Sequence, residues 1–281
     1  MKFGLFGIGS GICAQPAVSK AAAQAAEARG FESLWTGEHV VLPDPREAPS
    51  PAPPEFPMLH PSTSLAFLAG VTETVKLGTG IVLIAQRNPV VLAKEMASLD
   101  VVSSGRLLLG IGAGYLHQEF DALGIPFAER GARTDEAIEV MRALWMQDKP
   151  AFDGRFTQFS NIDAQPRPAQ PGGPPIVVGG TSEAALKRAV RSAQGWYGFA
   201  LNVEQTGQVL ERLRQLADEV ERPAALGPLE VSVTPALRTD AGVVDQFAGL
   251  GVHRLIPMMP QDSEQAVQGQ IDELGGLIAA S

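Results

Sequence analysis

Eight short apolar runs, each followed by a segment with helical spacing or a turn into one, constrain this chain more than any single motif. The runs are Lys2 to Gly7, Phe31 to Thr36, Val75 to Ile84, Arg106 to Ile111, Pro175 to Gly179, Gly195 to Phe199, Leu229 to Thr234 and Val252 to Ile256. Apolar on successive residues and bounded by glycine or proline, they read as strands buried on both faces. Pro16, tolerated at a first helical position, leads an Ala-rich helix to Arg29, with Gly30 as its stop. Asn88-Pro89 opens another helix, in which Leu92, Met96 and Leu99 share one stripe. Further helices are expected over Ser62 to Val71, from about Asp135 with Ile138, Met141, Leu144 and Trp145 on one face, and from a Thr181 or Ser182 cap. A long amphipathic helix should bury Val209, Leu213, Leu216, Ala217 and Val220, and two more should cover Val243 to Leu250 and Ala266 to Ile278. Such alternation implies a parallel sheet. Eight repeats predict an α/β fold, a closed (β/α)8 TIM barrel, with a doubly wound sheet as the alternative. No linker separates two hydrophobic sequences, so a single barrel domain over 1–281 is expected.

Charge narrows the partners. Thirty-one acidic against 22 basic residues give a net charge of -9, with no Lys/Arg run, which argues against nucleic acid or an anionic membrane surface and leaves a small-molecule substrate. The single Cys13 forms no internal disulfide, and no Cys/His spacing resembles a zinc site, so no metal is expected. The chain runs from Met1 directly into KFGLFG without a basic segment followed by a long apolar one, and no apolar run reaches about 18 residues; a cytoplasmic protein is the expectation.

In a barrel the C-terminal ends of the strands meet at one mouth, where the chemistry is kept. The second run, Phe31-Glu32-Ser33-Leu34-Trp35-Thr36-Gly37-Glu38-His39, ends there in an acid and a histidine, an imidazole that can take or give a proton and a carboxylate that can accept hydrogen bonds. Beyond it the Pro-rich stretch from Val40 to Pro61 excludes a helix or central strand and is the candidate lid. His60 and His117 fall on the same side, whereas His253 lies within the eighth run and reads as structural. Gly179-Gly180-Thr181-Ser182-Glu183 turns a strand into a helix, a place where free amide groups hold a phosphate. Gly110-Ile111-Gly112-Ala113-Gly114-Tyr115 lacks the third glycine of a dinucleotide fingerprint, but suggests a bare backbone surface against which a flat ring can lie.

Taken together, VKLGTGIVLIAQRNPVVLAKEMASLDVVSSGRLLLGIGAGY, PFAERGARTDEAIEVMRALW and PPIVVGGTSEAALKRA resemble the bacterial luciferase-like superfamily, and most of all its branch of coenzyme F420-dependent oxidoreductases. The resemblance covers about Met1 to Gly198. It implies a TIM barrel with a deazaflavin or flavin at its mouth, a non-proline cis peptide at Gly80-Ile81 within the Thr79-Gly80-Ile81 motif, a phosphate site at Gly179, Gly180 and Thr181, and a pocket edge at Gly112, Gly114 and Tyr115. Glu38 and His39 match the acid-histidine pair after the second strand. Two departures stand out: sugar-phosphate dehydrogenases of the superfamily carry a tryptophan and a glutamate where this chain has Pro43 and Tyr115. That substrate is therefore not expected, and Tyr115 and His117 become the candidate proton donors beside His39.

The expected activity is hydride transfer between coenzyme F420 and a small organic substrate, with His39 handling the accompanying proton. Three readings compete: an FMN-dependent monooxygenase on the same scaffold with a separate reductase, a lyase or isomerase acting on a phosphorylated metabolite, and a non-catalytic cofactor carrier. The resemblance is compatible with a homodimer, for which the residues carry no interface signal.

Overall fold

In the computed structural model, which describes residues 1–279, the apolar runs stand side by side as β1 (Lys2–Phe6), β2 (Ser33–Thr36), β3 (Lys76–Thr79), β4 (Val82–Leu83), β5 (Leu107–Gly112), β8 (Ile176–Gly179), β9 (Gly195–Leu201), β10 (Glu230–Pro235) and β11 (Arg254–Leu255); a separate hairpin, β6 (Phe152–Asp153) and β7 (Gln158–Phe159), lies between β5 and β8. Pairing runs β3-β2-β1-β11-β10-β9-β8-β5, and β3 returns to β5, so the ring closes. All these pairs are parallel. The third run is one strand in the sequence but two in the fold. A cis peptide at Gly80-Ile81 interrupts it, and β4 continues beyond, paired with β5 alone.

Helices α1 (Pro16–Ala28), α2 (Pro61–Ala69), α3 (Pro89–Val102), α4 (His117–Ala122), α5 (Arg130–Met146), α6 (Glu183–Ser192), α7 (Val203–Glu219), α8 (Ala241–Gly249) and α9 (Glu264–Ala279) form the connections. Their starts follow local chemistry. Asn88 accepts from Val90 and Val91 N–H, Ser182 from Ala185, Asp240 from Val243, and Asn202 with Gln205 closes a capping box on α7. Three expectations need adjustment. Helix α5 begins five residues early, at Arg130, and its first turn includes Thr134, fully buried, whose hydroxyl donates to Arg130 O. The connection before it contains α4, whose short length left no periodicity to read. On α7 the inward stripe is Thr206, Leu210, Leu213 and Leu216, which turns Ala217 to solvent. Ala280 and Ser281, the end of the 1–281 expectation, lie outside the described residues. No helix among the described residues is long and apolar enough to cross a membrane.

Two apolar layers result. Inside the ring pack Trp35, Leu108, Val177, Tyr197 and Ile256, with Phe6 and Ile81 against them; between ring and helices lies a larger core from Phe3 to Leu274. Burying each large aliphatic or aromatic side chain contributes roughly 1.5–3 kcal/mol, so these layers carry most of the stability. The N-terminal end of the ring is sealed by charge. Arg254, 1% exposed, donates to Glu32 at 2.8 and 2.9 Å, to Ser232 at 3.0 Å and to Glu230, while Lys2 pairs with Glu230 and Lys76 with Glu32. Burial disfavours the ionised Glu32, but the Arg254 bonds and charge outweigh it and hold the carboxyl at about 2.

Candidate active site

At the opposite end, β2 delivers Glu38 and His39 into a buried polar cluster completed from β5 and α4. Gly114, at φ +84°, turns the chain after β5, and the turn sends Tyr115 to the surface and Leu116 inward. Helix α4 then presents Glu119 and Phe120, both fully buried. Glu119 Oε1 accepts the Val40 amide at 2.6 Å; its Oε2 accepts Gln86 Nε2 at 3.0 Å and meets His39 Nδ1 at 3.3 Å. Burial works against the charge on Glu119, yet these bonds, led by those of His39 and Gln86, keep its carboxyl below the usual range. On the other side of the imidazole, Tyr115 Oη lies 3.2 Å from His39 Nε2. Burial, reinforced by the Glu119 charge, pushes the Tyr115 phenol up. His39 is thus held at both ring nitrogens, with its side chain 9% exposed and Tyr115 44% exposed beside it.

Glu38 faces a different set of partners. Its Oε2 accepts the Leu83 amide at 2.7 Å and its Oε1 pairs with Arg87, whose Nη2 is also 2.8 Å from His60 Nε2. Glu38 therefore braces the turn after β4 and, through Arg87 and His60, the start of α2. The Pro-rich stretch is tied at both ends: Glu119 holds Val40, Gln118 donates to Glu47 at 2.9 Å, Gly11 donates to Pro57 O at 2.9 Å and Leu59 to Gly9 O at 2.9 Å. His117 does not join the cluster. It is exposed and stacks on Phe127, ring centroids 3.5 Å apart.

The glycines of the wall carry a correction. A Cβ on Gly110 would overlap Thr79 O, one on Gly112 would overlap Ile81 Cδ1, and one on Gly114 would stand 2.7 Å from Phe120. On that side these glycines make room for the protein's own atoms, so they are not a bare surface there; Thr79 also donates its hydroxyl to Gly110 O at 2.6 Å. Gly112 accommodates Ile81, whose side chain also lies 3.0 Å from the Cβ position of Gly179. Ile81 and Gly80 remain half-buried, an apolar shelf at the mouth close to Phe6. Beside it Gly180 adopts φ +107°, donates to Tyr197 O at 3.3 Å and leads through exposed Thr181 and Ser182 into α6. The first amides of a helix lack intrahelical acceptors, and this start is open to solvent. An apolar shelf next to an exposed helix start fits a flat ring with a phosphate-bearing tail. Glu119, Gln86 and Arg87 were missing from the sequence-based set. The one trace of Glu119 in the sequence is its position before Phe120, a buried aromatic that fixes which face of α4 turns inward.

A protein-family model described as luciferase-like monooxygenase matches residues 6–274. The chain is 30% identical over 267 residues to the uncharacterized protein Rv0953c of Mycobacterium tuberculosis (strain ATCC 25618 / H37Rv), covering 92% of this chain and 93% of that one. Partial matches include the F420-dependent hydroxymycolic acid dehydrogenase of the same organism, 30% identical over 64% of this chain and 48% of that one. Another is the oxygenase component of the flavin-dependent trigonelline monooxygenase of Acinetobacter baylyi (strain ATCC 33305 / BD413 / ADP1), 34% identical over 55% of this chain and 40% of that one. Two solved structures share the fold: an F420-dependent secondary alcohol dehydrogenase in complex with an F420-acetone adduct, with TM-score 0.80 and 18% identity over 99% and 98% of the two chains, and monooxygenase RslO1 from Streptomyces bottropensis, with TM-score 0.79 and 22% identity over the whole of both.

Proposed function

The chain belongs to the luciferase-like monooxygenase family, and from that premise we propose that it is an oxidoreductase transferring a hydride between coenzyme F420 and a small organic substrate at the mouth of its barrel. The observation that carries this reading is His39, held between Glu119 and Tyr115 at the end of β2. When bound, a deazaflavin supplies two-electron hydride chemistry, which leaves a proton for the protein to manage. The chain's own residues meet that need: His39 and Tyr115 hold or pass a proton at the mouth, and Glu119 supports them from the interior.

Thr79, Gly80 and Ile81 would back the ring, and Gly179, Gly180 and Thr181 with the start of α6 would hold a phosphate. Glu38 would act on this pocket through the turn that it braces, and Gly112 and Gly114 through the position of Ile81 and Tyr115. His117, stacked on Phe127, would serve the rim and not the proton path. The Pro-rich segment, tied at its ends, is the piece of chain that would exclude water over the site. We place the activity in one domain of a cytoplasmic protein. A second reading, an FMN-dependent monooxygenase with a separate reductase, is favoured by the match to the Acinetobacter oxygenase component. Titrating the purified chain with F420 and with FMN, each followed by absorbance and thermal melting, separates the two. F420 is expected to bind and raise the melting temperature; saturable FMN binding with none of F420 would overturn the proposal.

A further inference from the structure

We propose that Glu119 is a positioning residue that fixes His39 with its proton on Nδ1, so that Nε2 faces the Tyr115 hydroxyl and Tyr115 is the group that exchanges a proton with the substrate. The substrate part rests on the proposed redox function; the order Glu119, His39, Tyr115 stands on geometry alone.

An ionised carboxylate only accepts hydrogen bonds, so the 3.3 Å contact between Glu119 Oε2 and His39 Nδ1 requires the hydrogen on Nδ1. A neutral ring then carries its lone pair on Nε2, and the 3.2 Å contact with Tyr115 is a bond donated by the phenol. The same carboxylate also takes the amide of Val40, the residue after His39, so backbone and ring are oriented by one group. Gln86 completes the set: its Nε2 donates to Glu119 while its Oε1 is buried without a hydrogen-bond partner in the described structure. Reversing that amide would set oxygen against the carboxylate, so the charge on Glu119 dictates its direction. Exposure gives the path its outer end. Tyr115 is half-exposed, His39 nearly buried and Glu119 fully buried, so a substrate meets the phenol first.

For a substrate hydroxyl, its proton passes to Tyr115 Oη as the Tyr115 proton passes to His39 Nε2. One O–H bond breaks and one forms at the phenol, and the new imidazolium charge is set against Glu119. The substrate's O–H bond and the C–H bond on the same carbon break and a C=O bond forms; a bound redox cofactor of the proposed function would take up the C–H hydrogen with its electron pair. The charged and titratable groups around this path are Glu119 of α4, Glu38 after β2, and Arg87 after β4 with its further partners His60 and Glu95.

The cofactor-free protein already tests the order. The chain has two tyrosines, and Tyr197 is fully buried, with its phenol pushed well up, so a near-ultraviolet pH titration reads Tyr115. Glu119→Gln should lower the Tyr115 midpoint toward that of a free phenol, and nitrogen-15 spectra of His39 should shift from the Nδ1–H form toward a mixture. With cofactor and substrate, kcat should fall by roughly 10²-fold or more with a smaller change in KM. Glu119→Asp, which keeps the charge, should restore the Nδ1–H form; it also serves if Glu119→Gln does not fold. An unchanged tautomer and Tyr115 midpoint in folded Glu119→Gln, or loss of the Nδ1–H form in folded Glu119→Asp, overturns the proposal. Because these readouts need no cofactor, failure of the redox reading leaves them decisive. Tyr115→Phe should keep cofactor affinity and lose the proton-linked limb of the pH profile; an unaltered profile removes Tyr115 from the path.

Discussion

At the N-terminal end of the barrel Arg254 is enclosed by Glu32, Glu230 and Ser232, with Lys2 and Lys76 on the outside, whereas at the C-terminal mouth Glu119, His39 and Tyr115 form a line that ends at solvent. The first arrangement is closed: opposite charges meet around one guanidinium, and its charged residues stand at the first position of their strands or the one before, with Ser232 two residues farther along β10. The second is open at one end, because Tyr115 carries its hydroxyl to the surface. Closed networks hold the ring together, and open ones can exchange protons. This division of labour between bottom and top follows the barrel architecture.

Breaking the closed end should have the largest effect on stability. Arg254→Met leaves Glu32 and Glu230 without their shared cation and should cost roughly 3–5 kcal/mol in urea unfolding. Activity per folded molecule should be unchanged; a selective loss of turnover would break the comparison. Acid should act on the same end. The Glu32 carboxyl lies at about 2 in the folded chain, below its unfolded value, so its contribution is present at neutral pH and is lost as pH falls from the ordinary carboxylate range toward 2. Glu32→Gln should remove about 3 kcal/mol at pH 7 and flatten that part of the stability profile; a parallel profile in the variant would show that other acids govern it. The smallest change belongs to the mouth. Glu38→Gln keeps an acceptor for the Leu83 amide and loses the charge facing Arg87, which retains Glu95 at 3.8 Å, so about 2 kcal/mol is expected from denaturation curves. A cost equal to that of Arg254→Met would erase the distinction between the two ends.

The alternation of apolar runs and helical stripes carried the barrel into view from sequence, and Asn88 and Ser182 marked helix starts because a cap is a local event. Thr79-Gly80-Ile81 and Glu38-His39 were legible through family resemblance and strand ends. Glu119 was not: it lies 80 residues from His39, on a helix of six residues, too short to show a period. Arg254 and Glu32 are separated by 222 positions and meet because both stand at strand beginnings in a closed ring. The glycines of β5 were visible, but their purpose was not. Space for a ligand and space for a neighbouring side chain leave the same mark in a sequence.

Ile81, seated over Gly112 and Gly179, limits how this pocket can be redesigned. Enlarging the residue at 112 forces Ile81 out, and trimming Ile81 opens a void against both strands, so the wall resists resizing from either side. Libraries meant to change the molecules this scaffold accepts should leave the wall and Tyr115 alone and diversify the exposed rim, at Val41, Phe199 and Met258, where new side chains have solvent to occupy.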